Sequence, residues 1–224
     1  MRNGSAGRRR FSNRQLQILD ELTQAIGQKD PYTQAHSQRV AIYAMRLARR
    51  LGFSEKKIRD VGIGGLFHDV GKLALSDQIF SNRDTILPSD LQHEVHCHPL
   101  IGAALLKKID CLGTIVDFVL FHHEREDGQG YPFGLTADEI PPGAKIVSIA
   151  DCFDAVTTDR PYQERQSIAS AYEILRDGCR RYFCEAYVEV FIEDIEEFGM
   201  MKGPVPSAYF TTELIRSANR CNCA

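Results

Sequence analysis

The chain has 224 residues, 43% of them hydrophobic and 25% charged, with a formal net charge of -3. These are the proportions of an ordinary soluble globule with room for one sizeable domain. The slight acidity gives no support for a broad nucleic-acid footprint, so DNA is not an expected partner; a small anion would have to be drawn by local basic residues or bound metal.

The basic start, residues 1–10, lacks the apolar core of a secretory signal and reads as a disordered arm. The longest apolar runs, such as residues 115–121, fall well short of a membrane span. Beyond the arm the pattern is helical nearly throughout. Leu19, Leu22 and Ile26 give a first helix its face. Val40, Tyr43, Ala44, Leu47 and Leu51 repeat at three and four in a second helix, with His36 on the same stripe. Gly52 closes that helix, and Ser54 is the N-cap of a third, expected to run to about Val70. Gly62, Gly64 and Gly65 within it predict close approach of a neighbouring backbone, since each glycine in a helix interior costs about 1 kcal/mol.

From Asp77 to Pro88 the periodicity lapses into a loop or short helices. Helices resume over residues 100–107 and 112–123. The glycine- and proline-rich stretch 126–142 is a long loop, a type that is usually functional in a compact domain. Residues 144–156 are apolar on all sides and predict a central buried helix. Amphipathic segments at 168–175, 186–198 and 209–218 complete an all-α chain. The seven cysteines show no spacing that implies a disulfide framework. Cys111, Cys152 and Cys179 fall in helical patterns as reduced, hydrophobe-like residues, and Cys221-Asn222-Cys223 reads as a frayed tail. A reducing cytosol is expected.

All seven histidines lie between His36 and His123, and five sit in compact phrases inside otherwise apolar segments. These are His36-Ser37-Gln38-Arg39, His68-Asp69-Val70-Gly71-Lys72, His98-Pro99 and His122-His123-Glu124; Ala150-Asp151-Cys152-Phe153-Asp154 follows. Asp151 and Asp154 lie on the most buried helix, where an unpaired carboxylate is very costly. A metal ligand accounts for Asp151, and a cap or salt bridge could hold one of the pair. Gly71 is expected to break the helix after His68-Asp69 so that adjacent side chains converge. His122 and His123 point about 100° apart on an ideal helix, so they reach one site only at its fraying end. His93 and His96 lie in a polar stretch and read as surface residues.

These phrases, in this order, resemble the HD-GYP domains of the HD phosphohydrolase superfamily. The resemblance starts at Asp30-Pro31-Tyr32-Thr33-Gln34-Ala35-His36 and includes Gly128-Gln129-Gly130-Tyr131-Pro132, Ile140-Pro141 and Asp159-Arg160-Pro161-Tyr162, ending near Phe191. It implies an all-helical bundle and a bacterial, cytoplasmic hydrolase of cyclic di-GMP. It also implies metal ligands at His36, His68, Asp69, His98, His122, His123 and Asp151. Asp69 would bridge two metals, with His36, His68 and Asp151 leaning toward one and His98, His122 and His123 toward the other. Iron or manganese is favoured, and nickel or zinc would also suit mixed nitrogen and oxygen ligands. A metal-bridging hydroxide would attack phosphorus and release linear pGpG, with slow passage to GMP. Asp69 and Lys72 are the expected catalytic residues, with Lys72 and Arg160 gripping phosphate. Gly128 and Gly130 are expected to adopt backbone angles other residues resist, and Tyr131 and Pro132 to shape the loop.

Four departures bear on substrate grip. Tyr32 stands where some members carry a glutamate that completes a third metal site. Gln163 replaces a basic residue, Asn82-Arg83-Asp84 replaces a lysine-proline-glycine phrase, and Phe183-Cys184-Glu185 replaces Phe-Asp-Pro. The chain therefore divides into an N-terminal arm and first helix at 1–29, the domain at 30–198 and a C-terminal helical extension and tail at 199–224. A separate sensor domain is not expected to fit in the first thirty residues. The expected partners are cyclic di-GMP and a diguanylate cyclase or sensor protein, and a homodimer is compatible. Two alternatives stay open: a weakly catalytic module that senses cyclic dinucleotides or docks a diguanylate cyclase, and an HD hydrolase for another cyclic dinucleotide such as mixed cyclic GMP-AMP.

Overall fold

The computed structural model describes residues 11–81, 88–159, 164–201 and 214. Helices α1 (Asn13–Lys29), α2 (Pro31–Arg50) and α3 (Glu55–Phe67) lead to a 3-10 helix (Val70–Ala74). The short α4 (Asp77–Ser81) and α5 (Ser89–His96) precede α6 (His98–Leu106), α7 (Thr114–Phe121), α8 (Pro142–Thr157), α9 (Ile168–Asp177) and α10 (Glu185–Phe198). No strand forms among the described residues, where β pairing is limited to isolated bridges such as Asp127 with Thr136. The fold is all-α.

Local chemistry sets the helix ends. Ser12 and Gln15 form a reciprocal capping box at the start of α1. Asp30 ends α1 and caps α2: its carboxylate accepts from the amides of Tyr32 and Thr33, and Pro31 fills the first turn, where its missing N–H costs nothing. Ser54 caps α3, accepting from the Lys57 amide. Gly52, at φ +74°, turns the chain out of α2.

Two apolar clusters flank the α2–α3 pair. Tyr43, Phe153 and Phe191 meet edge to face at centroid distances of 5.1 to 6.1 Å, joining α2, α8 and α10. On the other side Leu19, Ala41, Phe67, Leu106 and Val119 join α1, α2, α3, α6 and α7. Each large side chain buried in this way contributes about 1.5–3 kcal/mol. Of the three glycines of α3 only Gly65 meets a neighbouring backbone, where a Cβ would lie 3.0 Å from the Ala41 Cα; Gly64 and Gly62 instead make room for side chains, Phe118 and Met45.

The structure departs from the sequence expectations in several places. Helix α3 stops at Phe67, not Val70, because the chain tightens into the 3-10 helix. Gly71 is not the expected break: α3 has already ended, and Gly71 lies inside the 3-10 helix. A Cβ there would collide with the His98 carbonyl oxygen and come within 2.7 Å of the Gly102 amide, so glycine lets the 3-10 helix sit on the start of α6. The polar stretch at 89–96 is itself a short, half-exposed helix. Cys111 lies in a turn at φ +83° and Cys179 just past α9, so neither sits in a helix. Both, like Cys152, are only partly buried, and all three are unbridged. Of the segment at 209–218 only Leu214, buried and helical, lies within the described residues; Cys221 and Cys223 lie outside them. Among the described residues no helix is long and apolar enough to cross a membrane.

The two glycine roles are separable by stability. Gly71→Ala forces a backbone clash and is expected to cost about 3 kcal/mol. Gly52→Ala meets open space and bears only the left-handed angle, about 1 kcal/mol. Urea denaturation of both variants checks the order.

Candidate metal centre

Five helices deliver polar side chains to one buried point. His36 lies in the second turn of α2, and His68 and Asp69 in the turn that leaves α3. His98 is the first residue of α6, His122 and His123 follow the last residue of α7, and Asp151 is mid-α8. Their atoms form three overlapping groups with mutual separations within 4.8 Å: His36, His68 and Asp69; His68, His122 and Asp151; and His98, His122 and His123. Adjacent His122 and His123 converge because the α7 helix has already ended, their rings 4.0 Å apart.

Asp69 lies between the groups. Its Oδ2 is 3.4 Å from His68 Nε2 and 4.0 Å from His36 Nε2, while its Oδ1 is 3.4 Å from His98 Nε2. Asp151 Oδ1 stands 3.0 Å from His36 Nε2 and 3.7 Å from His68 Nε2. Lys72 Nζ is 2.6 Å from Asp69 Oδ2.

The far sides of four rings are held from behind. Nδ1 donates to the Gly65 carbonyl from His68, to Val95 from His98 and to Val119 from His122, at 2.6 to 2.7 Å. His36 Nδ1 meets Asp154 Oδ2 at 2.7 Å, and Arg39 grips the same carboxylate with two bonds of 2.6 and 2.9 Å. For His68, His98 and His122 such bonds select the tautomer whose Nε2 lone pair faces the centre, while His36 Nε2 faces Asp151. Among the described residues, buried His68 Nε2 has no hydrogen-bond partner. A cation is the partner that would satisfy it, and the nitrogen and carboxylate donors suit a first-row divalent metal.

Electrostatics agree with this role. Burial lowers His98 to about 3 and His123 to about 4 against the opposing pull of Asp69 and Asp151, and burial together with the neighbouring imidazoles pushes His122 down as well, so all three rings are neutral. His36 differs: burial opposes its charge, but hydrogen bonds and charges from Asp151 and Asp154 outweigh it and raise the group to about 9, so a cation bound there would have to displace a proton. Asp69 and Asp151 stay ionised despite burial, Asp69 through Lys72 and the imidazoles, Asp151 through His36 and its neighbours.

All seven expected ligand residues thus meet at one place, with Lys72 beside them. Arg160 and Gln163, and the Asn82 phrase, lie outside the described residues. In the following loop Gly128 does take φ +72°, but Gly130 does not have a positive φ: its Cβ would press within 2.6 Å of the Glu124 Cα, so close backbone approach is its reason. Tyr131 does more than shape the loop, for its ring stacks on His123 at 4.7 Å. Pro132 follows through a cis peptide bond. His93 and His96 are exposed, as expected of surface residues.

Sequence reasoning passed over Glu124 and Arg39, and for Asp154 it offered only that a cap or salt bridge could hold it or Asp151. Glu124, buried, accepts from the amides of Phe133 and Leu135 and closes the loop. Arg39 and Asp154 form the brace behind His36. Arg39 is one helical turn after His36 and Asp154 one turn after Asp151, a matched spacing that could have paired them. Asp154→Ala should free His36 and leave Arg39 without its carboxylate. Calorimetric titration is expected to show a 10- to 100-fold loss of divalent-metal affinity, with the helical circular dichroism retained.

Against known proteins, the HD domain family model matches residues 20–184. The chain is 39% identical over 145 residues to a cyclic di-GMP phosphodiesterase of Pseudomonas aeruginosa, covering 63% of this chain and 34% of that protein. It is 32% identical over 161 residues to 3'3'-cGAMP-specific phosphodiesterase 3 of Vibrio cholerae, covering 72% of this chain and 35% of the relative. The chain therefore spans about a third of the length of these relatives. A solved cyclic GMP-AMP-specific phosphodiesterase of Vibrio cholerae shares the fold at a TM-score of 0.64 and 17% identity, covering 92% of this chain and 53% of that one. With the family model spanning most of the helical core, and with Gly130-Tyr131-Pro132 following His122-His123, the chain belongs to the HD domain family, in its HD-GYP branch.

Proposed function

We propose that the chain is a metal-dependent phosphodiesterase of the bacterial cytoplasm that opens cyclic di-GMP to linear pGpG, with slow passage on to GMP, and that residues 30–198 form the domain that does so. The observation that carries this reading is Asp69: one buried carboxylate turns an oxygen toward each of two histidine groups. His36, His68 and Asp151 would hold one divalent cation, His98, His122 and His123 a second, and Asp69 would lend an oxygen to each. Iron or manganese is favoured. Cations held there would supply a water with a pKa lowered toward about 7 and a clamp for phosphate oxygens.

The chain's own groups do the rest. Ionised Asp69 and Asp151 balance the charge of the centre, and the neutral imidazoles of His98, His122 and His123 keep their lone pairs free for ligation. Lys72, partly exposed beside Asp69, brings positive charge to the scissile phosphate and steadies the departing oxygen. Arg160 offers a second, bidentate grip. Water adds its hydroxyl to phosphorus, one P–O3′ bond breaks, and the ribose 3′-oxygen takes the proton, which leaves pGpG.

Release after the first cut is supported by Tyr32. Its ring lies parallel to His36 at 5.9 Å, and its hydroxyl shares a hydrogen bond with Thr158. The position therefore carries a tethered phenol in place of a carboxylate that would help bind a cation for the terminal phosphate of pGpG. A weaker grip on the linear product favours dissociation over a second cut.

A second substrate reading, mixed cyclic GMP-AMP, is favoured by the 32% identical Vibrio cholerae relative. The phosphodiester is common to both substrates, and only one base differs. Incubating the metal-loaded protein with each nucleotide and separating products over time tests both. The expected result is faster loss of cyclic di-GMP, with pGpG accumulating well ahead of GMP. Rapid, quantitative GMP would refute the release argument, and faster turnover of cyclic GMP-AMP would favour the second reading. Binding without hydrolysis under any metal would instead indicate a sensing module, or one that docks a diguanylate cyclase. Asp69→Ala is expected to abolish turnover and deplete metal while the helical spectrum survives.

A further inference from the structure

His123 is held differently from the other four imidazoles. Their Nδ1 atoms are each tied by a hydrogen bond, to a backbone carbonyl or to Asp154. Among the described residues no hydrogen bond to the His123 ring nitrogens accompanies its ring contacts. Its ring lies against His122, edge-on to His98 at 5.0 Å, and face to face with Tyr131 at 4.7 Å and 26°. The Tyr131 amide also donates to the His123 carbonyl at 3.2 Å, so ring and backbone are registered together.

The outer face of Tyr131 is covered in turn. His96, the last residue of α5, stacks on it at a centroid distance of 4.2 Å and an interplanar angle of 20°. Three nearly parallel rings therefore run from the exposed surface to the centre: His96, Tyr131, His123. Tyr131 is sandwiched, and sandwiching removes the ring's freedom to swing away from His123. The stack also bridges two separate segments, the α5–α6 junction that delivers His98 and the loop after α7 that delivers His122 and His123.

We propose that His96 is a positioning residue for the second half of the centre. Through Tyr131 it holds the His123 ring by stacking, the service that hydrogen bonds perform for the other four imidazoles. This rests on the reading that His98, His122 and His123 hold a metal. What His96 supplies is a flat face, and aromatic pairs of this geometry favour the observed offset arrangement beyond simple area burial. Its exposure means that replacing it removes little from the core.

The test uses metal-stripped full-length protein titrated with Mn2+ in an anaerobic calorimeter, for the parent, His96→Ala and His96→Phe. Outer-shell partners typically account for 10- to 100-fold in metal affinity. His96→Ala is expected to weaken one of two binding events about tenfold and leave the other within twofold. His96→Phe, which restores the flat face without a ring nitrogen, is expected to stay within twofold of the parent for both. Imidazole nitrogen-15 spectra of the metal-free protein should show the His123 signal moved in His96→Ala and restored in His96→Phe. Unchanged affinities in His96→Ala would overturn the proposal, as would a His96→Phe variant no better than alanine, which would make His96 a ligand or hydrogen-bonding group. A parent that binds no Mn2+ would sink the metal-centre reading itself, whatever the variants did.

Discussion

Asp69 is ionised and about 98% removed from solvent, since only 2% of its side-chain surface remains exposed. Removing such a charge from water costs several kcal/mol unless strong partners surround it. Much of the architecture serves that requirement. Lys72 returns to it along the 3-10 helix, and three helices aim His36, His68 and His98 at its two oxygens. The 3-10 helix must lie directly on the start of α6 for His98 to reach, which is why Gly71 has no room for a side chain.

The same constraint explains why so many of the converging groups come from helix ends. A ring in mid-helix has its orientation set by the neighbouring turns. A residue at or just past a terminus can fold its Nδ1 back to the carbonyl three residues earlier, as His68, His98 and His122 all do. Those carbonyls are among the groups a helix end leaves unsatisfied, so each bond serves the backbone and the ring together. His36 and Asp151, within longer helices, need a different device. The Arg39–Asp154 pair braces His36 across the α2–α8 interface, and His36 in turn holds Asp151. The loop after α7 is closed from within by buried Glu124, which accepts two amides and so keeps Tyr131 against His123.

Much of this was legible in the residues. Apolar repeats at three and four marked α1, α2, α9 and α10, because a helix with one buried stripe advertises its period, and α8 stood out by being apolar all round. The histidine and aspartate phrases stood out because charge and imidazole are expensive inside such segments. Less legible were α5, too short and too polar to show a period, and the end of α3, where the apolar pattern continues after the hydrogen bonding has changed. Gly71 and Gly130 were read as conformational glycines, but each is glycine because another strand of backbone passes too close for a Cβ. For Gly71 that backbone is His98 and Gly102, and for Gly130 it is Glu124 and Arg125 across the folded loop, approaches that no helical or strand period encodes.

By itself the sequence determined the helical class, the apolar faces and the list of side chains able to bind a metal, since these depend on periodicity and residue chemistry within a few turns. Only the tertiary structure decided how those side chains meet. It placed an oxygen of Asp69 on each side of the centre, set Asp154 and Arg39 behind His36, and carried His96 onto Tyr131. Each of these contacts joins residues from different elements, and their distances depend on how whole helices pack.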